Sequence, residues 1–235
     1  NYQRSLPCDF TPFYFQGARA QLYPSGKLKT EIWVLNGWQT YNSWNTGLGL
    51  GSSTYYRPNE NLQLVANFYI NGKDTRNSSG VRRFHHDNSI VARYRNNKQS
   101  KGISQAAFSL NNHYGFQTGG GVKAHEHYML GTSLAHRLWF NQNKYGITLR
   151  GDIVTNPGAY LAFSPSPVVE NDFNDALAIG ERLTAFQGTA TFDWMPNQFF
   201  TFRLEYGYRK SNLPYFAGRG GTTSPDGWID TPTDT

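Results

Sequence analysis

Three clusters in the sequence carry side chains that could do chemistry. His125-Glu126-His127 offers two imidazoles at i and i+2, which on a strand point to the same side and could share a metal ion. A metal centre also needs a third ligand and hydrogen-bonded partners behind it, and neither is apparent. A polar strand end in water is the preferred reading, and no metal ligand is assigned. His85-His86-Asp87 has the residue types of a catalytic triad. Adjacent residues on a strand diverge, however, and no nucleophile is placed beside them, so no catalytic residue is assigned and an enzyme is not expected. Gly119-Gly120-Gly121 could imitate a phosphate-cradling loop. Without a GK[ST] motif and a following helix it reads as a flexible hairpin loop, and no cofactor or cofactor-binding residue is expected.

The remaining candidates form a stripe rather than a cluster. Arg19, Lys29, Arg93, Arg95, Arg137, Arg150, Arg203 and Arg209 fall on the polar side of alternating segments. Glu31, Asp152, Asp193 and Glu205 share that side. If the face lines a lumen, its positive excess favours anionic or polar solutes over cations. The same residues could form a charge ladder that fills or stiffens the lumen by cross-strand pairing. Both readings stay open, because neither pore width nor pairing can be read from the sequence.

The elements that position this stripe are strands. Over Leu183–Ser211 the residues Thr184, Phe186, Gly188, Ala190, Phe192 and Trp194 alternate with Ala185, Gln187, Thr189, Thr191 and Asp193. After a tight Met195-Pro196-Asn197 turn, Phe200, Phe202, Leu204, Tyr206 and Tyr208 alternate with Thr201, Arg203, Glu205, Gly207 and Arg209. A period of two marks a hairpin. Soluble strands need only about 5–6 residues, whereas these run longer, toward the roughly 9–11 that cross a bilayer at a tilt. Aromatic residues near strand ends, among them Tyr14, Tyr55, Tyr56, Trp139, Trp194 and Phe199, fit interfacial girdles.

Composition supports the same class. The 235 residues are 38% hydrophobic, 16% aromatic and 16% charged, with 24 glycines, and the mean hydropathy is −0.61. No stretch approaches the roughly 18 apolar residues of a spanning helix. A β-barrel escapes that objection because half its strand residues face a wet lumen. The net charge of +6 is spread over many segments, so nucleic acid is not an expected partner. Cys8 stands alone, so no intrachain disulfide is possible.

Read in order, the chain yields about ten strands between residues 13 and 211. They run from Phe13 onward, Lys27–Gly37, Ser43–Arg57, Asn61–Asn71, Val81–Arg95, Ile103–Gln117, Lys123–Phe140 and Tyr145–Thr155, followed by the hairpin above. Gly47, Gly49 and Gly51 share a face and leave room for bulky neighbours. Asn156–Arg182 is the longest link, with helix formers over Glu170–Glu181. Residues 1–12 and 212–235 read as irregular tails. Links after odd strands are mostly short and those after even strands long, as outer-membrane barrels show. The expected fold is therefore one all-β domain over residues 1–235, a transmembrane up-and-down antiparallel β-barrel. The missing opening and closing strands suggest an incomplete part of a larger barrel.

Three segments resemble a known family. Gln16, Gly17, Arg19, Leu22-Tyr23, Trp33 and Asn36-Gly37-Trp38 in Pro12–Asn42 carry the resemblance, together with Thr54–Asn71 and Thr191–Phe216. In the last segment the matching residues are Trp194, Pro196, Arg203, Glu205, Tyr206 and Arg209. They resemble the beta-barrel porin-2, OmpL-like outer-membrane proteins. The resemblance implies a bacterial, Bacteroidota-like outer membrane, with lipid as the first partner and other envelope proteins or further copies of the chain as additional ones. The leading expectation is a porin-like passive channel for small polar or anionic solutes. The alternative is a structural or accessory barrel subunit of a larger envelope complex, its lumen plugged by Asn156–Arg182 or by missing segments. An outer-membrane enzyme and a soluble sugar-binding β-protein rank below these.

Overall fold

Alternation of β-branched and aromatic residues with small polar ones is what a pleated ladder accommodates, and the chain builds such a ladder almost throughout. The computed structural model describes residues 3–9, 11, 12, 14–38, 47–71, 80–157, 160, 182–212, 222–224 and 227–229. After a single helical turn, α1 (Leu6–Asp9), come β1 (Gly17–Ser25), β2 (Leu28–Leu35), β3 (Gly49–Asn59), β4 (Leu62–Asn71), β5 (Arg82–Asn96) and β6 (Ile103–Thr118). β7 (Tyr128–Phe140), β8 (Tyr145–Pro157), β9 (Arg182–Trp194) and β10 (Phe202–Ser211) complete one sheet in sequence order, every pair antiparallel. A separate two-stranded ribbon follows, β11 (Thr222–Ser224) with β12 (Gly227–Ile229). The architecture is the expected up-and-down antiparallel one. Among the described residues β1 and β10 remain the two edges, so the sheet is not closed.

Burial is the reverse of that in a soluble sandwich. The apolar side of the pleat points outward: Leu149 is 59% exposed and Leu204 74%, and Ile32, Leu50, Ile70, Leu134, Ile153 and Phe186 are also exposed. The polar side is covered, with Glu31, Ser53, His85, Gln105, Asp152, Gln187, Thr191 and Asp193 all buried. Outward-facing rings gather at both ends of the strands. Trp194 and Phe202 lie 5.1 Å apart at the short-turn end, and Phe84 and Phe116 5.2 Å apart at the long-loop end. An apolar band between aromatic belts, wrapped around a polar interior, is the pattern of a sheet whose outer solvent is lipid. No described helix is long and apolar enough to cross a membrane, which says nothing about strands.

The inner face is filled from within the chain. The N-terminal tail, expected to be irregular, turns once as α1, with Cys8 N bonded to Ser5 O at 3.1 Å. Leu6 is wholly buried. Its segment contacts β7 and β8 and reaches β10 through Glu205. Ser5 also lines two cavities whose walls together draw on β2 to β8. One short segment can meet so many strands only if the sheet curls around it. Tyr160 is wholly buried as well, against β5 and β6.

Several local expectations need correction. The strand expected from Lys123 starts at Tyr128, because backbone hydrogen bonds from Glu126 and His127 to Lys123 O make residues 123–127 a turn. His125-Glu126-His127 is thus not on a strand, and the same-side argument for its imidazoles does not apply. The Met195-Pro196-Asn197 turn lengthens to residues 195–201, since Asn197 Oδ1 accepts from Phe199 and Phe200 N, so Phe200 falls outside β10. The glycine-face expectation is met: a Cβ at Gly49 would sit 2.8 Å from the Tyr69 ring, and one at Gly51 2.7 Å from Trp33. Gly119, Gly120 and Gly121 have φ of 85°, 58° and 88°, which makes them a turn only glycine adopts freely. The helical turns expected over Glu170–Glu181 lie outside the described residues.

Candidate functional site

The ionic side chains of the inner face belong mostly to β8–β10 and to β1–β2. Asp193, fully buried, receives Arg203 Nε at 2.6 Å and Arg137 Nη2 at 2.6 Å. Asp152 holds Arg150 Nε at 3.0 Å and accepts from Leu6 N at 3.3 Å. Arg150 also donates to the carbonyls of Gln3 and Arg4. Glu205 accepts from Thr191 Oγ1 and from Gln3 N, both at 2.6 Å. Arg209 reaches Asp9 at 3.5 Å. Burial pushes the Asp9 carboxyl up from its ordinary value, against the pull of Arg209, Arg4 and Arg150. The residues of this half therefore bind the N-terminal segment as well as one another.

On the opposite flank Glu31, buried in β2, takes Lys29 Nζ at 2.6 Å and Arg19 Nη1 at 3.6 Å, and accepts from Gln21 and Trp33. Arg93 and Arg95 sit at the short-turn end instead. Arg93 pairs with Glu60 at 3.2 Å, and Arg95 donates to Ile103 O at 2.8 Å. Parity thus places the candidates on the inner face, and the fold sorts them into two clusters, one around Glu31 and one around Asp193, Asp152 and Glu205, with Arg93 and Arg95 apart. Both Glu31 and Asp193 are met by two cations each. Pairing limits the positive excess without cancelling it.

Between these flanks, β3–β6 present a neutral polar wall. Asn67 donates to Asp87 at 2.7 Å, His85 faces His113, and Arg83 lies over the Trp38 and Tyr160 rings at 4.8 and 4.9 Å while donating to Tyr160 O. A cavity of about 420 Å³ opens on this wall, and one of about 390 Å³ lies toward Arg137 and Arg150. Ser5 lines both, so the N-terminal segment stands between them. His125 and His127 do not join either wall. His125 is exposed, and burial lowers the His127 imidazole below its ordinary value, with Glu126 opposing.

Sequence reasoning underweighted this neutral wall because it ranked residues by charge. Extending the parity of Val91, Arg93 and Arg95 back through β5 would have placed Arg83, His85 and Asp87 on the inner face. Nothing local signals that Tyr160, isolated in the longest link, returns to bind them.

Searches of curated proteins and of solved structures found no match. The family model described as "Putative beta-barrel porin-2, OmpL-like" matches residues 1–231, essentially the whole chain. With an all-β up-and-down sheet, an apolar exterior and a polar interior already in place, the chain belongs to this family of porin-like β-barrel proteins.

Proposed function

We propose that the chain forms a passive channel of the bacterial outer membrane for small polar solutes, with a preference for anions and without catalysis. The observation that carries this is the inverted burial, with a polar inner face on which Glu31 and Asp193 are each outnumbered by cations. Lumen charge of one sign sets ion preference in wide pores. The outward leucines and phenylalanines have lipid as their partner. The sheet edges are where further copies of the chain or other envelope proteins would pair.

Planar bilayers test the reading. Steady ohmic steps whose reversal potential in a KCl gradient favours chloride are expected. Well-folded protein, identified by heat-modifiable gel mobility, that gives no current would overturn it.

A specific observation favours a second reading, a barrel whose lumen is stoppered. The N-terminal segment is held across the inner face by Asp152, Arg150 and Glu205, while most of the link expected to plug the lumen lies outside the described residues. If so, removing residues 1–12 should raise conductance severalfold. Unchanged current in the truncated protein would dismiss the stopper.

A further inference from the structure

The cluster that no role yet absorbs lies in the neutral wall. Asp87 and His113 are direct cross-strand partners, and His85 is two residues from Asp87, so all three share the inner face. Their ligand atoms lie within 4.8 Å of one another, in the lining of the 420 Å³ cavity.

Hydrogen bonds around the rings fix where the protons are. Asn111 donates its amide to Asn88 O at 3.2 Å and Ser89 Oγ at 2.8 Å, so its Oδ1 faces His113 Nε2, which must carry hydrogen. The Tyr160 hydroxyl donates to Phe84 O at 3.0 Å, so its oxygen accepts from His85 Nδ1, also at 3.0 Å. That leaves His85 Nε2 and His113 Nδ1 facing each other at 3.2 Å, each with a lone pair. The gap is too small for a water molecule, and two lone pairs repel. A cation satisfies both. A tetrahedral ion with metal–nitrogen bonds of about 2.0–2.1 Å sets its ligand nitrogens roughly 3.3–3.4 Å apart, close to the spacing already present.

The third donor and the supporting layer are in place. Asp87 accepts from Asn67 through Oδ1, which leaves Oδ2 for an ion. Asn111 and Tyr160 orient the two imidazoles, as outer partners of histidine ligands do. Gly115 lies opposite His85, where a Cβ would come within 2.3 Å of the Tyr160 hydroxyl and 2.7 Å of His85 Nδ1, so only glycine admits this arrangement. The Arg83 cation, which opposes a metal ion, is engaged with the Trp38 and Tyr160 rings and with Tyr160 O.

We propose that His85, Asp87 and His113 form a binding site for a first-row divalent transition-metal ion in the wall of the barrel. Two imidazoles and a carboxylate suit zinc, cobalt or nickel rather than calcium or magnesium, which take oxygen ligands. The cavity gives the ion a fourth position for water or solute. The proposal is independent of channel activity.

The test uses the full chain in detergent, titrated with Zn²⁺ by calorimetry and with Co²⁺ by visible absorption. One ion per chain is expected, with the d–d bands of a tetrahedral site. Asn111→Leu should weaken binding about 10–100-fold, and His85→Gln and His113→Gln should each weaken it by more than about 100-fold, beyond the loss from an outer partner. Changing both His125 and His127 to Ala should leave binding intact. X-ray absorption of the zinc-loaded wild type, counting two imidazoles, keeps the test decisive if a variant does not fold. The proposal is overturned by any of four results: no saturable binding to folded wild type, equal binding by the His85 and His113 variants, loss of binding in the His125/His127 variant, or a spectrum without imidazole.

Discussion

The two halves of the inner wall obey the same pleat and solve the burial of polar groups differently. From β7 to β10 buried carboxylates sit among buried threonines and Gln187, each carboxylate is held by a cation or a hydrogen-bond donor, and the N-terminal segment is bound into the network. From β3 to β6 amides, imidazoles and rings, with Arg83 and Asp87 among them, are arranged around open volume. Charges taken from water need partners at close range, so the ionic half closes on itself and on the tail. A wall of mostly uncharged groups tolerates a cavity, so the other half stays available to a ligand. One wall serves as an anchor and the other as a receptive surface.

The largest effect should come from breaking the anchor. Asp193→Ala strips the shared partner from Arg137 and Arg203, and is expected to cost about 3 kcal/mol, the low end for a broken buried pair because both guanidiniums are partly exposed. Removing Glu60, an exposed partner of Arg93, should cost under about 1 kcal/mol. Urea unfolding in detergent compares the two, and equal losses would abolish the contrast between buried and surface pairs.

What the halves share, an exposed apolar outer face, is the next target. Leu134 and Ile90 lie mid-strand and point outward in β7 and β5. Arginine at either site should cost about 2–4 kcal/mol in bilayers, the penalty at a membrane midplane. Costs within about 0.5 kcal/mol, as on a watery surface, would mean that this face does not meet lipid.

Packing in the receptive half gives a smaller effect. Gly115→Ala crowds Tyr160 and His85, and should cost about 1–3 kcal/mol, with a change in near-UV circular dichroism. Gly151→Ala, with open space around its Cβ, should stay within about 0.5 kcal/mol. If both are silent, Tyr160 does not dock where described.

The smallest effects are in pH. His127 has a lowered value, so the unfolded chain takes up its proton first. Its contribution is present above the ordinary imidazole value and lost as pH falls below it. His127→Gln should flatten that acid-side loss in a thermal melt. Asp9 is raised by burial, so the docked tail is firmest where this carboxyl is protonated and weakens as pH rises through its folded value. Asp9→Asn should remove that dependence in proteolysis of the N-terminus.

The strands were legible because a period of two needs only local reading, and the exposed Phe186, Phe192 and Leu204 of the hairpin β9–β10 follow from parity alone. Turn chemistry was less legible. Residues 123–127 and 195–201 depend on which backbone groups close a turn, and neighbouring sequence does not say. Arg19, Lys29 and Glu31 could be put on one face, but their meeting at a single carboxylate depends on the register between β1 and β2.

By itself the sequence determined the alternation, and hence which side of the sheet could tolerate lipid, since this follows from side-chain order along an extended backbone. Only the tertiary structure decided which polar groups meet. The tail bound beneath β7–β10 and the imidazoles of His85 and His113 brought together with Tyr160 are contacts between residues far apart in the chain. They arise when the sheet curls, and each buried polar group must then find a partner across the interior.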